Sequence, residues 1–447
     1  DLERPRYSPN AATSGVASGS VTLSSAAGTV TITNNVTTGN ATVADAAGIT
    51  TAATGNINVT AATGITGTGR LITGNASVDA AAADAVDTAT SGTITLNVTG
   101  SGDVGLLTGD ALTVGSATIT NNTADDTATT GNIVIGNTNA PNRVNNGTAG
   151  LALDVSFGAA SGGQTNTAGT LSVTTDGAAG ALGEIRVTSA EALRVGALST
   201  VGGTAQDVNI STTGGAALTI TNATESLSGD SVTFDAGTGT LTMADNSFTV
   251  GAGSLILEGD EVELTGAANS IIGTGTLTLR PETLTQAIQL GSTDPGAGTL
   301  HFSTTELATI QNGFSGITIG RSVDGTGAVT VAEAVSFNDS LTLVGGSIAS
   351  NFTLTDTGNA VTLTARTGGI TDGNAATANV VSTSLTATAV TGADLDTTIT
   401  TLTLANVSGA GNIDISDTAG GLTVTSATTS NGGITLNATG GTLTVTA

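Results

Sequence analysis

The 447-residue chain has no cysteine, no tryptophan and no lysine, and only one tyrosine, one methionine and one histidine. Without cysteine there is no disulfide, no thiolate metal site and no redox thiol. A single histidine excludes any two-histidine metal centre. Aromatic residues make up 2% of the chain, too few for the bulky cores of large globular domains. Nine arginines are the only basic side chains against 35 acidic ones, giving a net charge of −26. They are scattered from Arg4 to Arg366, so the clustered cations that neutralise nucleic-acid phosphates or dock on anionic membranes are missing. No apolar run approaches the roughly 18 residues of a membrane-spanning helix.

What is abundant is small and β-branched: 91 threonines and 64 glycines, with 38% hydrophobic residues drawn mostly from Ala, Val, Ile and Leu. Apolar and polar residues alternate with period two in one short run after another, as in Thr29-Val30-Thr31-Ile32-Thr33, Thr93-Ile94-Thr95-Leu96-Asn97 and Leu443-Thr444-Val445-Thr446. Gly, Asn, Asp or Ser bounds each run, the usual chemistry of turns. Near the carboxy terminus a glycine followed by such a run recurs at Gly411, Gly421, Gly433 and Gly441, so two strands take roughly twenty residues. The pattern predicts an all-β chain, a right-handed parallel β-helix of about 20 coils at 20–23 residues each, on the order of 90–100 Å long. Residues 1–13 read as an extended arm and 14–447 as one continuous solenoid. Ser303 to Gly313 offers an N-cap, apolar Leu307 and Ile310 and a terminating glycine, predicting one or two helical turns. Pro281 to Leu290 reads as a similar excursion.

Chemistry-bearing residues are few. Glu258, Asp260, Glu261 and Glu263 are candidates for weak calcium binding, although alternation sends Glu261 and Glu263 to a solvated outer face. Asp125-Asp126 and Asp394/Asp396 read as similar acidic loops. Gly100-Ser101-Gly102-Asp103-Val104-Gly105 matches a dinucleotide-binding spacing by letter but leads into another strand instead of the helix that chemistry requires. His301, between Leu300 and Phe302, is expected to point outward as a surface imidazole. No catalytic residue and no cofactor is expected.

The most specific block is 255–347. It runs Glu261-Val262-Glu263-Leu264-Thr265-Gly266, then Gly273-Thr274-Gly275-Thr276-Leu277-Thr278-Leu279-Arg280-Pro281. It continues through Thr305-Glu306-Leu307-Ala308 to Asn312-Gly313-Phe314-Ser315-Gly316-Ile317-Thr318-Ile319-Gly320-Arg321. This block resembles a recurring module of the filamentous-haemagglutinin-like, β-strand-repeat adhesins of bacterial surfaces. The resemblance implies a parallel β-helix, export across a Gram-negative outer membrane, and a role in adhesion or extracellular matrix. The family's amino-terminal secretion module and carboxy-terminal barrel find no counterpart, so the chain is expected to be a processed piece or internal segment.

The expected function is therefore a non-catalytic extracellular structural segment that stacks head-to-tail. Asp1, Leu2, Glu3, Arg4, Arg6 and Tyr7 of the arm would meet a neighbouring copy, as would Leu443, Val445 and Ala447 of the last strand. A glycan or cell-surface receptor is the other partner class. Two alternatives use the same fold. A polysaccharide-acting enzyme would need paired carboxylates with gathered cations or aromatic platforms. An ice-binding solenoid would need regular Thr-x-Thr rows, against which the irregular spacing counts.

Overall fold

The computed structural model describes residues 15–44, 50–79, 86–120, 126–136, 141, 143–145, 147–148, 151–176, 184–201, 207–221, 226–227, 231–244, 247–375 and 377–446. The arm residues Asp1, Leu2, Glu3, Arg4, Arg6 and Tyr7, together with Asp125 and Ala447, lie outside this set. The fold is a parallel β-solenoid: short strands pair in parallel with their counterparts one coil away. The chain divides into two compact units, 1–231 and 232–447.

In the first unit a coil carries five strands, the first set being Val16–Ala17, Val21–Ser25, Thr29–Ile32, Val36–Thr37 and Ala41–Ala44. One inward rank runs Val21, Ile57, Ile94, Ile133 and Leu171, which puts a coil at 36 to 39 residues. The last four of these are fully buried, whereas outward neighbours such as Thr95 are only half-buried. Like side chains stack on like, and each coil hydrogen-bonds to the next, so the core is built by repetition. From Leu171 onward the coil shortens, with Leu171 pairing Val195 and Val195 pairing Ile220.

The extra width comes from two strands packed on alanine. Ala41, Ala76 and Ala117 face Ala52, Ala89 and Ala128 in a separate small core completed by Val78 and Ile119. It joins the main body through rows of Ser/Thr-Gly corners. The hydroxyls of Ser18, Thr54, Ser91 and Thr130 accept hydrogen bonds from the N–H groups of Gly55, Gly92, Gly131 and Gly169 one coil on, at 2.9, 2.7, 3.0 and 2.6 Å. Thr38 and Thr73 do the same for Gly74 and Gly115, both at 2.9 Å. Asn56 and Asn132 side chains cap the adjoining N–H groups of Thr93 and Thr170. Thr54 also donates to the Gly74 carbonyl at 3.0 Å, tying the two rows together. A roughly twenty-residue period is therefore too short for this part of the chain. The two alanine-packed strands and the corners that join them account for the longer coil.

Because Thr54 is buried and bonded in both directions, Thr54→Val leaves the Gly92 N–H and the Gly74 carbonyl without partners. Its expected cost is about 1–3 kcal/mol, read as a shift of the urea midpoint at unchanged slope.

The second unit has the shorter coil. Ile317, Leu341, Val361 and Leu385 form one inward rank spaced by 20 to 24 residues, and Ile413 pairs Ile434. Its core is bulkier, with Phe234 and Phe248 meeting edge to face at 5.5 Å. Between Leu277 and its partner Ile317 the chain makes a long excursion that holds the strands Ala287–Leu290 and Thr299–Phe302 and the helix Thr304–Leu307. Ser303 caps that helix, accepting from the Glu306 N–H while the Glu306 carboxylate returns to the Ser303 N–H at 2.8 Å. The expected helical turns are there. Pro281 to Leu290 is not helical: a turn leads into a strand whose Ile288 and Leu290 are buried and whose Ala287 and Gln289 are not, a period of two.

Candidate functional site

Within the second unit, the 255–347 block brings several charged side chains together. Glu258 ends the strand Ser254–Glu258 and pairs in register with Arg280 one coil on. Its carboxylate is buried, accepting from Arg280 Nη2 at 2.5 Å and from Arg321 Nη1 at 2.8 Å. Arg321 reaches further, donating to the Pro281 and Glu282 carbonyls at 3.0 and 3.1 Å and to Asp324 through Nε at 2.8 Å. Carboxylate oxygens of Asp235, Glu258 and Glu282 come within 4.8 Å of one another. Burial raises the Asp235 and Glu282 carboxyls above their ordinary range, with Glu258 adding to both. The Arg321 guanidinium is held more firmly protonated, first by its hydrogen bond to Asp324.

Glu258 is therefore buried and is not a carboxylate on a solvated face. Nor do the four calcium candidates converge. Glu258 is already neutralised by two guanidiniums, and a cation there would have to displace them. Asp260 instead clamps the Pro281 turn, accepting from the Thr283 N–H at 2.7 Å and the Thr283 hydroxyl at 2.6 Å. Only Glu261 and Glu263 lie as expected, outward on the strand Glu261–Leu264 with Val262 and Leu264 buried.

Those two carboxylates share their face with Glu306, whose Oε1 accepts from the Leu264 N–H at 3.2 Å. Burial first, then Glu263, Asp294 and Glu306, push Glu261 up to about 7, while His301 works in the opposite direction. Glu263 is raised too, by burial and then by Glu306 and Asp294. His301 sits on the side of its strand opposite Leu300 and Phe302, as alternation requires, but it is not a surface group. The turn after Leu290 covers it, and Nε2 lies 3.2 Å from the carbonyls of both Gly291 and Ser292.

A pH dependence follows from Glu261. Its carboxyl holds a proton in the folded chain up to about 7 but in the unfolded chain only to about 4.5. Folded molecules therefore bind more protons between these limits, and stability falls as pH rises through that window. The contribution is fully present below about pH 4.5. Glu261→Gln is expected to flatten this part of a pH series of urea midpoints and to stabilise the protein at pH 8.

Elsewhere, Asp394 and Asp396 lie on the strand Ala393–Thr398, not in a loop, and Asp394 stands in register with Asp414. Burial and these like charges raise both carboxyls. Asp126 is buried, accepting from the Asp87 N–H at 2.8 Å, and Asp87 in turn accepts from the Thr50 N–H. The Gly100–Gly105 spacing enters the strand Asp103–Leu106 without a helix. Gly105 is explained by packing, since a Cβ there would lie 2.5 Å from Gly147 Cα. The sequence pattern did not single out Arg280, Arg321 or Asp87. The recurring Thr-Gly-Asn triplets at Thr38, Thr54, Thr73 and Thr130 were the available signal for the corner rows.

Leu443 and Val445 occupy the strand Thr442–Val445 and are 40% and 61% exposed; their register partners Leu422 and Val424 are each 1% exposed. Among the described residues no helix is long and apolar enough to cross a membrane. No protein-family model, no curated protein and no solved structure matches this chain.

Proposed function

We propose that the chain is a non-catalytic structural segment of a bacterial surface adhesin or extracellular filament, in which the solenoid spaces and displays outer faces and seats a further coil against its own. The observation that carries this reading is the register itself. Inward ranks, corner hydroxyls and backbone bonds are all spent on holding one coil to the next. Such a construction transmits tension along a stack of neighbours and leaves the outward positions to vary. One more coil, from a second copy or from sequence beyond this segment, would bury Leu443 and Val445 as Leu422 and Val424 are buried. A second copy seated there makes a heterologous contact that propagates. The adhesin-like block at 255–347 supports an extracellular setting in a Gram-negative bacterium.

Electron microscopy over a concentration series tests this. End-to-end association that Leu443→Glu and Val445→Glu abolish is expected. Dispersed single particles at every concentration would reject assembly between copies. A saturable, specific hit in a glycan or cell-surface binding screen would favour the adhesin over the filament.

A further inference from the structure

One sheet of the first unit carries threonines in two outward ranks. It comprises Val16–Ala17, Thr51–Ala53, Thr88–Thr90, Thr127–Thr129 and Thr165–Thr167, all parallel. The middle residues Ala52, Ala89 and Ala128 point inward and are fully buried. The flanking residues point outward in two ranks. Thr51, Thr88, Thr127 and Thr165 form one; Ala53, Thr90, Thr129 and Thr167 form the other. The sequence intervals of 37, 39 and 38 residues along the first rank are unequal, yet the threonines stand in register. The difference is taken up elsewhere in each coil, which removes the objection that irregular spacing raised.

Three further features describe this face, and the outward rank Thr278, Thr318, Thr342, Thr362 and Thr386 of the second unit shares them. First, its hydroxyls are uncommitted: none of the outward threonines from Thr88 to Thr167 makes a side-chain hydrogen bond, in contrast to the corner threonines Thr38, Thr54, Thr73 and Thr130. Second, neither rank contains a charged residue, in a chain of net charge −26. Third, a β-branched side chain in a strand has few χ1 choices, so methyl and hydroxyl are held in fixed directions before anything binds. Backbone geometry then sets the lattice: hydroxyl rows repeat about every 4.8 Å across strands and about 6.6 Å along them.

We propose that this face binds ice. A rigid, uncharged, rectangular array of alternating hydroxyls and methyls holds first-layer water in rows on the scale of the oxygen rows of an ice face. The hydroxyls anchor the water and the methyls confine it. The inference does not depend on the filament or adhesin reading, since any secreted solenoid could carry such a face.

The test is thermal hysteresis of the whole chain, with partition into a slowly growing ice front as a second readout. The expected result is a concentration-dependent freezing gap, faceted ice crystals and enrichment in the ice fraction. Thr90→Glu with Thr129→Glu, which places charge in the middle of one rank, is expected to lose both signals while keeping its strand circular dichroism. Thr95→Glu, outward on the strand Ile94–Val98 of another sheet, is expected to keep them. Folded wild-type protein showing neither hysteresis nor enrichment would overturn the proposal. So would undiminished activity in the Thr90/Thr129 double variant, or glycan binding at this face that the double variant abolishes in the absence of any ice activity.

Discussion

Replacing Gly131 by alanine is expected to destabilise the first unit by about 3 kcal/mol, the upper end of the cost of forcing one more methyl into a packed interior. The added Cβ would sit 2.1 Å from the Gly92 oxygen and 2.4 Å from the Gly92 carbonyl carbon. Those are backbone atoms of the coil beneath, and they cannot rotate away. Gly92 stands in the same relation to Gly55, with its Cβ 2.0 Å from the Gly55 oxygen, so the glycines form a column through the corner. Opening the coils at Gly131 also pulls its N–H from the Ser91 hydroxyl. Gly28→Ala is the control: its Cβ would meet only the Ser25 hydroxyl at 3.4 Å, and little change is expected. Urea unfolding gives the size of the effect. Amide exchange gives its place, with loss of protection centred on the strands Ile94–Val98 and Ile133–Ile135, because coil interactions are nearest-neighbour.

Glu258→Ala is expected to cost about 3–5 kcal/mol, the range for breaking a buried ion pair by removing one partner. Without that carboxylate, Arg280 and Arg321 keep charge in a mostly covered site; the Arg321 side chain is only 15% exposed. Glu258→Gln keeps the shape and removes the charge, so it should recover only a minor part of the loss. Asp103→Ala provides the contrast. Asp103 pairs with Arg143 at 2.7 Å, but both side chains are 33% exposed, and a loss of about 0–1 kcal/mol is expected. Equal effects of the Glu258 and Asp103 substitutions in a denaturation series would show that the Glu258 cluster is no more than a surface ion pair.

Legibility differed between the strands and the charged groups for a physical reason. Val262 and Leu264 buried, Glu261 and Glu263 out: this much follows from a period of two within one strand. The helix at Thr304 was legible for an equally local reason, since a capping serine and a Glu three residues on satisfy the orphan N–H groups of a first turn. His301 shows where such reasoning stops. Alternation put the ring on the correct side of its strand, but the turn that covers it belongs to residues ten positions away in sequence. Glu258 likewise became buried through Arg280 and Arg321, 22 and 63 residues distant.

Taken alone, the sequence determined that this protein is built of short parallel strands with small aliphatic interiors, with a helical turn at Thr304. Those are properties of side-chain alternation and turn chemistry over a few residues. The width of a coil, the pairing of carboxylates with guanidiniums, and which of the 91 threonines stand free in straight ranks instead of bonding at corners all emerge from three-dimensional packing. In this parallel solenoid most strands pair with one some 20 to 40 residues away. The stacking of corner upon corner, through Gly55, Gly92 and Gly131, selects which residues become neighbours.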